Sequence, residues 1–163
     1  MQVRRARLED AAAIAEVHAR TWREAYEHVF GAARLSALTP ASRLPLWRQA
    51  LAGDRDTFIG VQEGRVVAFV SVGPSRDEDA EGELGEIYVL PEMWGTGAGS
   101  SLLEAGVEAM RARGYGDAVL WVLDDNPRAR RFYEREGWAL EGAVKEDDFL
   151  GVTVREVRYR RQL

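Results

Sequence analysis

Three glycines alternate at positions 95, 97 and 99, between a segment with the pattern of a β-strand and one with the pattern of a helix. Glycine allows backbone amides to come close to a ligand. The first turn of a helix adds unpaired N–H groups at the positive end of the helix dipole. These features predict a site for a phosphate-bearing ligand, and the alternative is that the glycines only permit a tight turn.

Two common nucleotide-binding motifs do not fit this glycine turn. The pattern G-x-G-x-x-G requires a third glycine where Ser100 or Leu102 stands. The pattern G-x-x-x-x-G-K-S/T requires a lysine that is absent here. From these residues alone, the ligand is therefore defined only as one that carries phosphate.

A second motif runs from Asn126 to Trp138 and reads N-P-R-A-R-R-F-Y-E-R-E-G-W. It predicts a helix capped by Asn126, with proline in the first turn. The two segments together resemble the two signatures of the GNAT superfamily of N-acetyltransferases. The first is Gln/Arg-x-x-Gly-x-Gly/Ala, with Trp94 in place of the usual Gln or Arg. The second is Asn-x-x-Ala-x-x-Phe/Leu-Tyr-x-x-x-Gly-Phe/Trp, and the resemblance covers nearly the whole chain.

The resemblance implies an α/β fold over a single domain, residues 1–163. Its central sheet would have about seven mostly antiparallel strands, a splayed parallel pair among them, and four flanking helices. It also implies transfer of an acetyl group from acetyl-CoA to a primary amine, by direct attack through a tetrahedral intermediate. The acceptor would be a small-molecule amine or a peptide N-terminus. Trp121 stands where acetyltransferases of ribosomal-protein N-termini carry a Glu, which disfavours that subclass.

The same resemblance assigns residues to coenzyme A. Backbone groups of the strand before the glycine turn would contact the pantetheine arm and the thioester, and Asn126 would contact the same arm. The residues implied for cofactor binding are Ile87, Tyr88, Val89, Trp94, Gly95, Thr96, Gly97, Ala98, Gly99, Ser100, Asn126 and Tyr133.

Tyr133 and Glu86 are the implied catalytic residues. A phenol, with an ordinary pKa of about 10, suits protonation of a departing thiolate, so Tyr133 would be the general acid. Glu86 would be the general base, on a strand where alternation places it on one face with Leu84 and Tyr88. Tyr133 as a core aromatic and Glu86 as an exposed strand carboxylate are the alternatives. Asp124 and Asp125 are rival bases, although the pair also fits a turn before a helix cap.

The acceptor side is less defined. Trp22 and Tyr26, with Phe30, follow helical spacing and would line an acceptor pocket or else pack in the core. An acidic loop at 77–83 could attract a cationic amine, although a solvated loop is the simpler interpretation. The basic tail of Arg158, Arg160 and Arg161 is expected to be a solvated strand edge.

Two other functions fit parts of this pattern. One is a non-catalytic acyl-CoA-binding or sensing module of the same fold, since the identity of the base is open. The other is a different nucleotide-binding domain that reuses a glycine turn. Similar proteins are frequently dimers, so a homodimer is compatible with the resemblance.

The amino-acid composition excludes several other classes of site and of binding partner. The chain has no cysteine, which excludes disulfides and a cysteine nucleophile, and its only histidines, His18 and His28, are ten residues apart, so no metal site is expected. A net charge of −5 argues against nucleic acid as a partner. No apolar run is long enough to span a membrane, and the N-terminus lacks the apolar core of a signal peptide, so a cytoplasmic protein without a membrane partner is expected.

Periodicity and turn residues predict the elements that position these residues. Strands are expected at 3–7, 57–62, 65–72, 84–90, 118–123, 138–144 and 152–160. Helices are expected from a cap at Asp10 to Gly31, from Thr39 to Ala52, over 100–113, and from Asn126 to Gly137. A shift of phase in the last strand predicts a bulge near Arg155.

Overall fold

A computed structural model describes all 163 residues. One mixed sheet of seven strands contains β1 (Gln2–Arg5), β2 (Asp56–Gln62), β3 (Arg65–Pro74), β4 (Gly82–Val89), β5 (Asp117–Leu123), β6 (Ala139–Phe149) and β7 (Val152–Gln162). The strand order is β1-β2-β3-β4-β5-β7-β6, and only β4 and β5 are parallel. The helices are α1 (Ala11–Phe30), α2 (Ala32–Leu35), α3 (Pro40–Ala52), α4 (Ala98–Ala112) and α5 (Pro127–Arg135). The expected α/β fold is confirmed, and the short helix α2 is additional.

Helices cover both faces of the sheet. Helix α4 packs on one face through Leu102, Val107 and Met110, against Val70 and neighbouring side chains of β3 to β5. Helices α1 and α3 pack on the other face around Ile14, Trp47 and Phe69. Strand β3 is therefore buried on both sides, which explains its continuous apolar sequence.

Strands β4 and β5 diverge soon after they pair. Their register contains only Gly82 beside Ala118 and Glu83 beside Val119. Beyond Glu83, the backbone of β4 keeps its partner in β3 but has none in β5. The expected splayed parallel pair is present, and it opens a gap in the middle of the sheet.

A β-bulge at Gly85 changes which side chains of β4 share a face. Ser71 of β3 pairs with Glu86 and Val72 pairs with Leu84, so Gly85 is the extra residue. Leu84 packs with the α4 core, whereas Tyr88 packs on the α1 side. The predicted common face for Leu84, Glu86 and Tyr88 is therefore wrong.

The guanidinium of Arg55 lies directly over Gly85. A Cβ atom on Gly85 would be 2.5 Å from Arg55 Nη2. The Nη2 atom also donates to the Glu83 carbonyl at 3.3 Å. Glycine at the bulge thus leaves room for a cation above the strand.

Two further local predictions are wrong. Asp10 does not cap α1, because its carboxylate accepts from the Arg7 amide at 2.7 Å and from Arg4 at 2.8 Å, holding a 3-10 turn at Leu8–Asp10. No bulge occurs near Arg155, where β7 pairs regularly with both neighbours. The irregularity lies in β6 between Leu140 and Val144.

The acidic loop and the basic tail pair with each other. Arg158 bonds Asp77 at 3.1 Å and Asp79 at 2.7 Å, and Arg160 bonds Asp79 at 3.0 Å. The expectation that each would be simply solvated is therefore wrong. Because these loop carboxylates already have cationic partners, the loop is a poor attractor for an amine. Among the helices, none combines the length and the apolarity needed to cross a membrane.

Candidate active site

A cavity of about 800 Å³ occupies the gap between β4 and β5. The glycine turn and α5 line one end of it, and α1 with the tip of the β6–β7 hairpin lines the other. We call these the glycine end and the aromatic end.

Backbone amides without acceptors converge at the glycine end. Gly97 has φ +86°, a left-handed conformation that favours glycine, and it immediately precedes α4. No protein atom accepts a hydrogen bond from the amides of residues 97–100, and Gly97, Ala98, Gly99 and Ser100 all line the cavity. The helix start and the open amides have the geometry that an anion cradle requires, so the anion site predicted from the glycine spacing stays a prediction with suitable geometry.

Gly95 also lines the cavity, with φ +75°. Thr96 is the exception among the predicted residues, because its side chain is turned away from the cavity. Its hydroxyl donates to the Met93 carbonyl at 2.7 Å. Thr96 is therefore brought to the turn but not to the cavity wall.

Trp94 stands where the family signature usually has Gln or Arg, and its side chain makes two contacts of its own. Its indole nitrogen donates to the Val89 carbonyl at 2.8 Å. The guanidinium of Arg128 lies 3.2 Å from the centre of its ring. Trp94 therefore links the end of β4 to the first turn of α5 across the glycine end.

Three arginines of α5 line the cavity and were missed from the sequence. They are Arg128, Arg131 and Arg135. Their spacing of three and four residues puts them on one face of the helix, a signal that the sequence does contain. They add positive charge beside the open amides, as expected for a site that holds several phosphate oxygens.

The predicted strand residues Ile87, Tyr88 and Val89 all line the cavity. They lie on the part of β4 that has no partner in β5. Asn126 lines the cavity on the side opposite β4. Its side-chain oxygen accepts from the Ala129 amide at 3.1 Å and caps α5. Its amide nitrogen donates to the Tyr26 hydroxyl at 3.3 Å.

Tyr133 lies on the cavity wall between these elements. Its side chain is buried against Phe132, Trp138 and Tyr159, but its hydroxyl has no hydrogen-bond partner in the protein. Burial, together with nearby Tyr26, raises the pKa of the Tyr133 phenol. The phenol is therefore protonated at neutral pH and is free to donate a proton into the cavity.

Glu86 is half-buried and lines the same cavity. Burial raises the pKa of its carboxyl, and the opposing effect of Arg55 and Arg76 is smaller. Both arginines are engaged with the neighbouring Glu83 rather than with Glu86. A carboxylate with a raised pKa and no ion-pair partner is suited to accept a proton.

The rival bases lie elsewhere. Asp124 pairs with Arg130 at 2.5 Å and with Arg155 at 3.5 Å. Asp125 is exposed at the surface, with His28 3.6 Å away. Neither carboxylate lines the cavity.

Aromatic side chains form the aromatic end. Trp22 stacks with Phe149 from the hairpin tip at 5.0 Å between ring centres, and it contacts Tyr26 at 4.8 Å. Its indole nitrogen donates to the Tyr88 hydroxyl at 2.7 Å. Trp22, Tyr26 and Phe30 therefore both pack together and line the cavity.

Phe149 was missed from the sequence because β6 was expected to end near residue 144. Trp121 also faces the cavity. Its indole nitrogen donates to Asp77 at 2.8 Å, and Lys145 lies 4.4 Å from its ring centre.

Comparisons with known proteins agree with this architecture. Residues 13–138 match the model of the acetyltransferase (GNAT) family. The N-acetyltransferase YuaI of Bacillus subtilis, itself uncharacterised, is 36% identical over 161 residues, which cover 95% of this chain and 89% of YuaI.

Solved structures show the same fold at low sequence identity. The PaiA N-acetyltransferase of Thermoplasma acidophilum, in complex with coenzyme A, has a TM-score of 0.76 at 17% identity and covers 99% of this chain and 98% of its own. The YncA protein of Salmonella typhimurium, with its cofactor acetyl-CoA, has a TM-score of 0.75 at 20% identity and covers 99% and 93%. With its splayed sheet, its glycine turn and these matches, the chain belongs to the GNAT family of acetyltransferases.

Proposed function

We propose that this acetyltransferase moves the acetyl group of acetyl-CoA to a primary amine by direct attack of the amine on the thioester. The observation that carries the proposal is the cavity itself. It joins an anion cradle at the glycine end to a protonated tyrosine and a free carboxylate farther along. Acetyl-CoA, when bound, supplies the activated acetyl group.

The residues present fit coenzyme A. The open amides of 97–100 and the α5 arginines would hold the diphosphate and the other phosphate oxygens. Ile87 to Val89 would pair with the pantetheine arm through the backbone that β5 leaves unpaired. An amide of this segment would also donate to the thioester oxygen and stabilise the negative charge that develops there.

Glu86 and Tyr133 would handle the protons. Glu86 would accept a proton from the acceptor ammonium, directly or through water, so that the amine lone pair is available. As the new C–N bond forms and the C–S bond breaks, Tyr133 would donate its phenolic proton to the departing sulfur. The second proton that the attacking nitrogen loses on becoming an amide would return to the tyrosinate, directly or through water. Asn126 would keep α5, and therefore Tyr133, in position through its cap on Ala129.

The proposal is tested by measuring the free thiol of coenzyme A that transfer of the acetyl group releases. Purified protein with acetyl-CoA and a panel of amines should release coenzyme A and yield the N-acetylated amine, detected by mass spectrometry. Binding of acetyl-CoA without turnover of any amine would instead favour a non-catalytic acyl-CoA-binding module. Tight binding of NAD or ATP without binding of coenzyme A would favour a different nucleotide-binding domain.

A further inference from the structure

The aromatic end of the cavity contains polar groups that the proposed reaction does not use. They are His18 and Thr21 of α1 and Arg43 of α3, all on the cavity wall. We call these three residues the polar corner. From the sequence alone, His18 is considered only as a metal ligand, and its spacing from His28 disfavours that role.

The proton on the His18 ring has a defined position. Trp47 donates its indole N–H to His18 Nδ1 at 3.0 Å, so Nδ1 must be unprotonated. Burial, with a further contribution from the charge of Arg43, lowers the pKa of His18 to about 4. At neutral pH the imidazole is therefore uncharged, and its single proton is on Nε2.

This Nε2–H group has no acceptor in the protein. The ring is held in place by stacking on Tyr88 at 5.2 Å between ring centres. Thr21 lies one helical turn from His18, and its hydroxyl is buried without a partner. Two polar groups on one face of α1, the His18 Nε2–H and the Thr21 hydroxyl, thus lack hydrogen-bond partners in the protein.

Arg43 adds a cation with no counter-ion. It is half-buried, and its one side-chain hydrogen bond is to Ser42 Oγ at 3.4 Å. No carboxylate lies within ion-pair distance of its guanidinium, in contrast to most arginines of this chain. A half-buried cation, a half-buried imidazole N–H and a buried hydroxyl, all without carboxylate or carbonyl partners in the protein, are normally satisfied by a ligand or by water.

We propose that the polar corner binds an anionic oxygen group of the acceptor, so that the enzyme acetylates amines that also carry a carboxylate or a phosphate-type acid. This inference rests on the proposed function. Glu86 and Tyr88 point to the same face of β4, and the Tyr88 ring contacts His18. An acceptor can therefore place its amine beside Glu86 and its acid group at the polar corner, with its body against Trp22.

A set of acceptors with one carbon skeleton tests the proposal. The amine would carry a carboxylate, a phosphonate, a carboxamide or a methyl group at the same position. The carboxylate or the phosphonate should be preferred over the carboxamide by roughly tenfold to a hundredfold in kcat/KM, as expected for a charge-assisted contact. A preference for either acid supports the proposal, and their ratio identifies which acid fits better.

Single substitutions test which residues cause the preference for acid acceptors. Arg43→Met should raise KM much more for the acid acceptors than for the carboxamide, and Arg43→Lys should retain most of the preference. His18→Gln, which keeps one acceptor and one donor, should give an intermediate loss. Arg48→Met is the matched control, because Arg48 lies on the same helix but is exposed and outside the cavity.

Equal use of acid and carboxamide acceptors by the unaltered enzyme would overturn the proposal. An equal effect of Arg43→Met on both acceptors would also overturn it. If no amine is turned over, calorimetry in the presence of coenzyme A still decides the matter. Tighter binding of the N-acetylated acid than of its carboxamide, abolished in Arg43→Met, supports the polar corner, and equal binding overturns it.

Discussion

Replacement of Gly97 by alanine separates the role of the glycine turn in binding from its role in folding. Gly97 has φ +86°, and a Cβ atom there would have no protein atom within 4 Å. The variant therefore makes no clash within the protein, but it carries backbone strain of roughly 1–2 kcal/mol. For a chain of this size, that strain corresponds to a fall in Tm of about 2–8 °C.

The effect on coenzyme A should be larger than the strain alone. Gly97 lines the cavity and has open space beside it, so in the proposed binding mode the added methyl group would crowd a phosphate oxygen of coenzyme A. Loss of one charge-assisted hydrogen bond, about 1.5–3 kcal/mol, weakens binding roughly 10- to 150-fold. Calorimetric titration with coenzyme A measures this change.

Gly114→Ala is the matched control. Gly114 lies at the other end of the same helix, has φ +85°, and also has open space around its Cβ position. It should show the same fall in Tm with no change in coenzyme A affinity. Unchanged affinity in Gly97→Ala, or an equal loss of affinity in both variants, would refute the role assigned to the glycine turn.

Three other substitutions test separate parts of the structure. Tyr133→Phe should lower kcat by roughly a hundredfold or more, as expected for loss of a general acid. Its affinity for coenzyme A should stay within about twofold of that of the unaltered enzyme. An unchanged kcat would show that Tyr133 is not the general acid. Because burial raises the pKa of Glu86, activity should increase as the pH rises through that pKa, and Glu86→Gln should flatten this limb of the pH-rate profile. An unaltered profile would point to another base. Gly106→Ala should destabilise the fold by about 1–2 kcal/mol in urea unfolding, because its Cβ would lie 2.9 Å from buried Val72 and this crowding outweighs the gain in helix propensity of about 1 kcal/mol. A stabilised variant would show that α4 can move away from β3.

The glycine end could be predicted from the sequence because the residues that form it are close together along the chain. Three glycines and a helix start define a cradle within six residues, whatever the rest of the chain does. The same is true of the cap at Asn126 and of the strands as separate segments, which periodicity and turn residues predict. These parts of the prediction depend on neighbours in sequence.

Contacts between segments that are far apart along the chain could not be predicted in the same way. The face on which Leu84 lies depends on a bulge at Gly85, which in turn accommodates Arg55 from a distant loop. The tautomer of His18 depends on Trp47, which is 29 residues away along the chain. Pairing of Arg158 with Asp77 spans 81 residues. Such contacts arise from the packing of elements and leave no periodic signal.

The position of the hairpin tip at Phe149 has a consequence for how acceptor specificity can differ between related proteins. It meets α1 through ring contacts with Trp22 and Phe30, at the opposite end of the cavity from the glycine turn that we propose binds coenzyme A. Changes in the length or the aromatic character of this tip would reshape the proposed acceptor space and leave the proposed coenzyme A site intact. If the proposed sites are correct, two relatives can share the coenzyme A half of the cavity and still acetylate unrelated molecules, so the tip and α1 are the segments to compare when acceptors are assigned across the family.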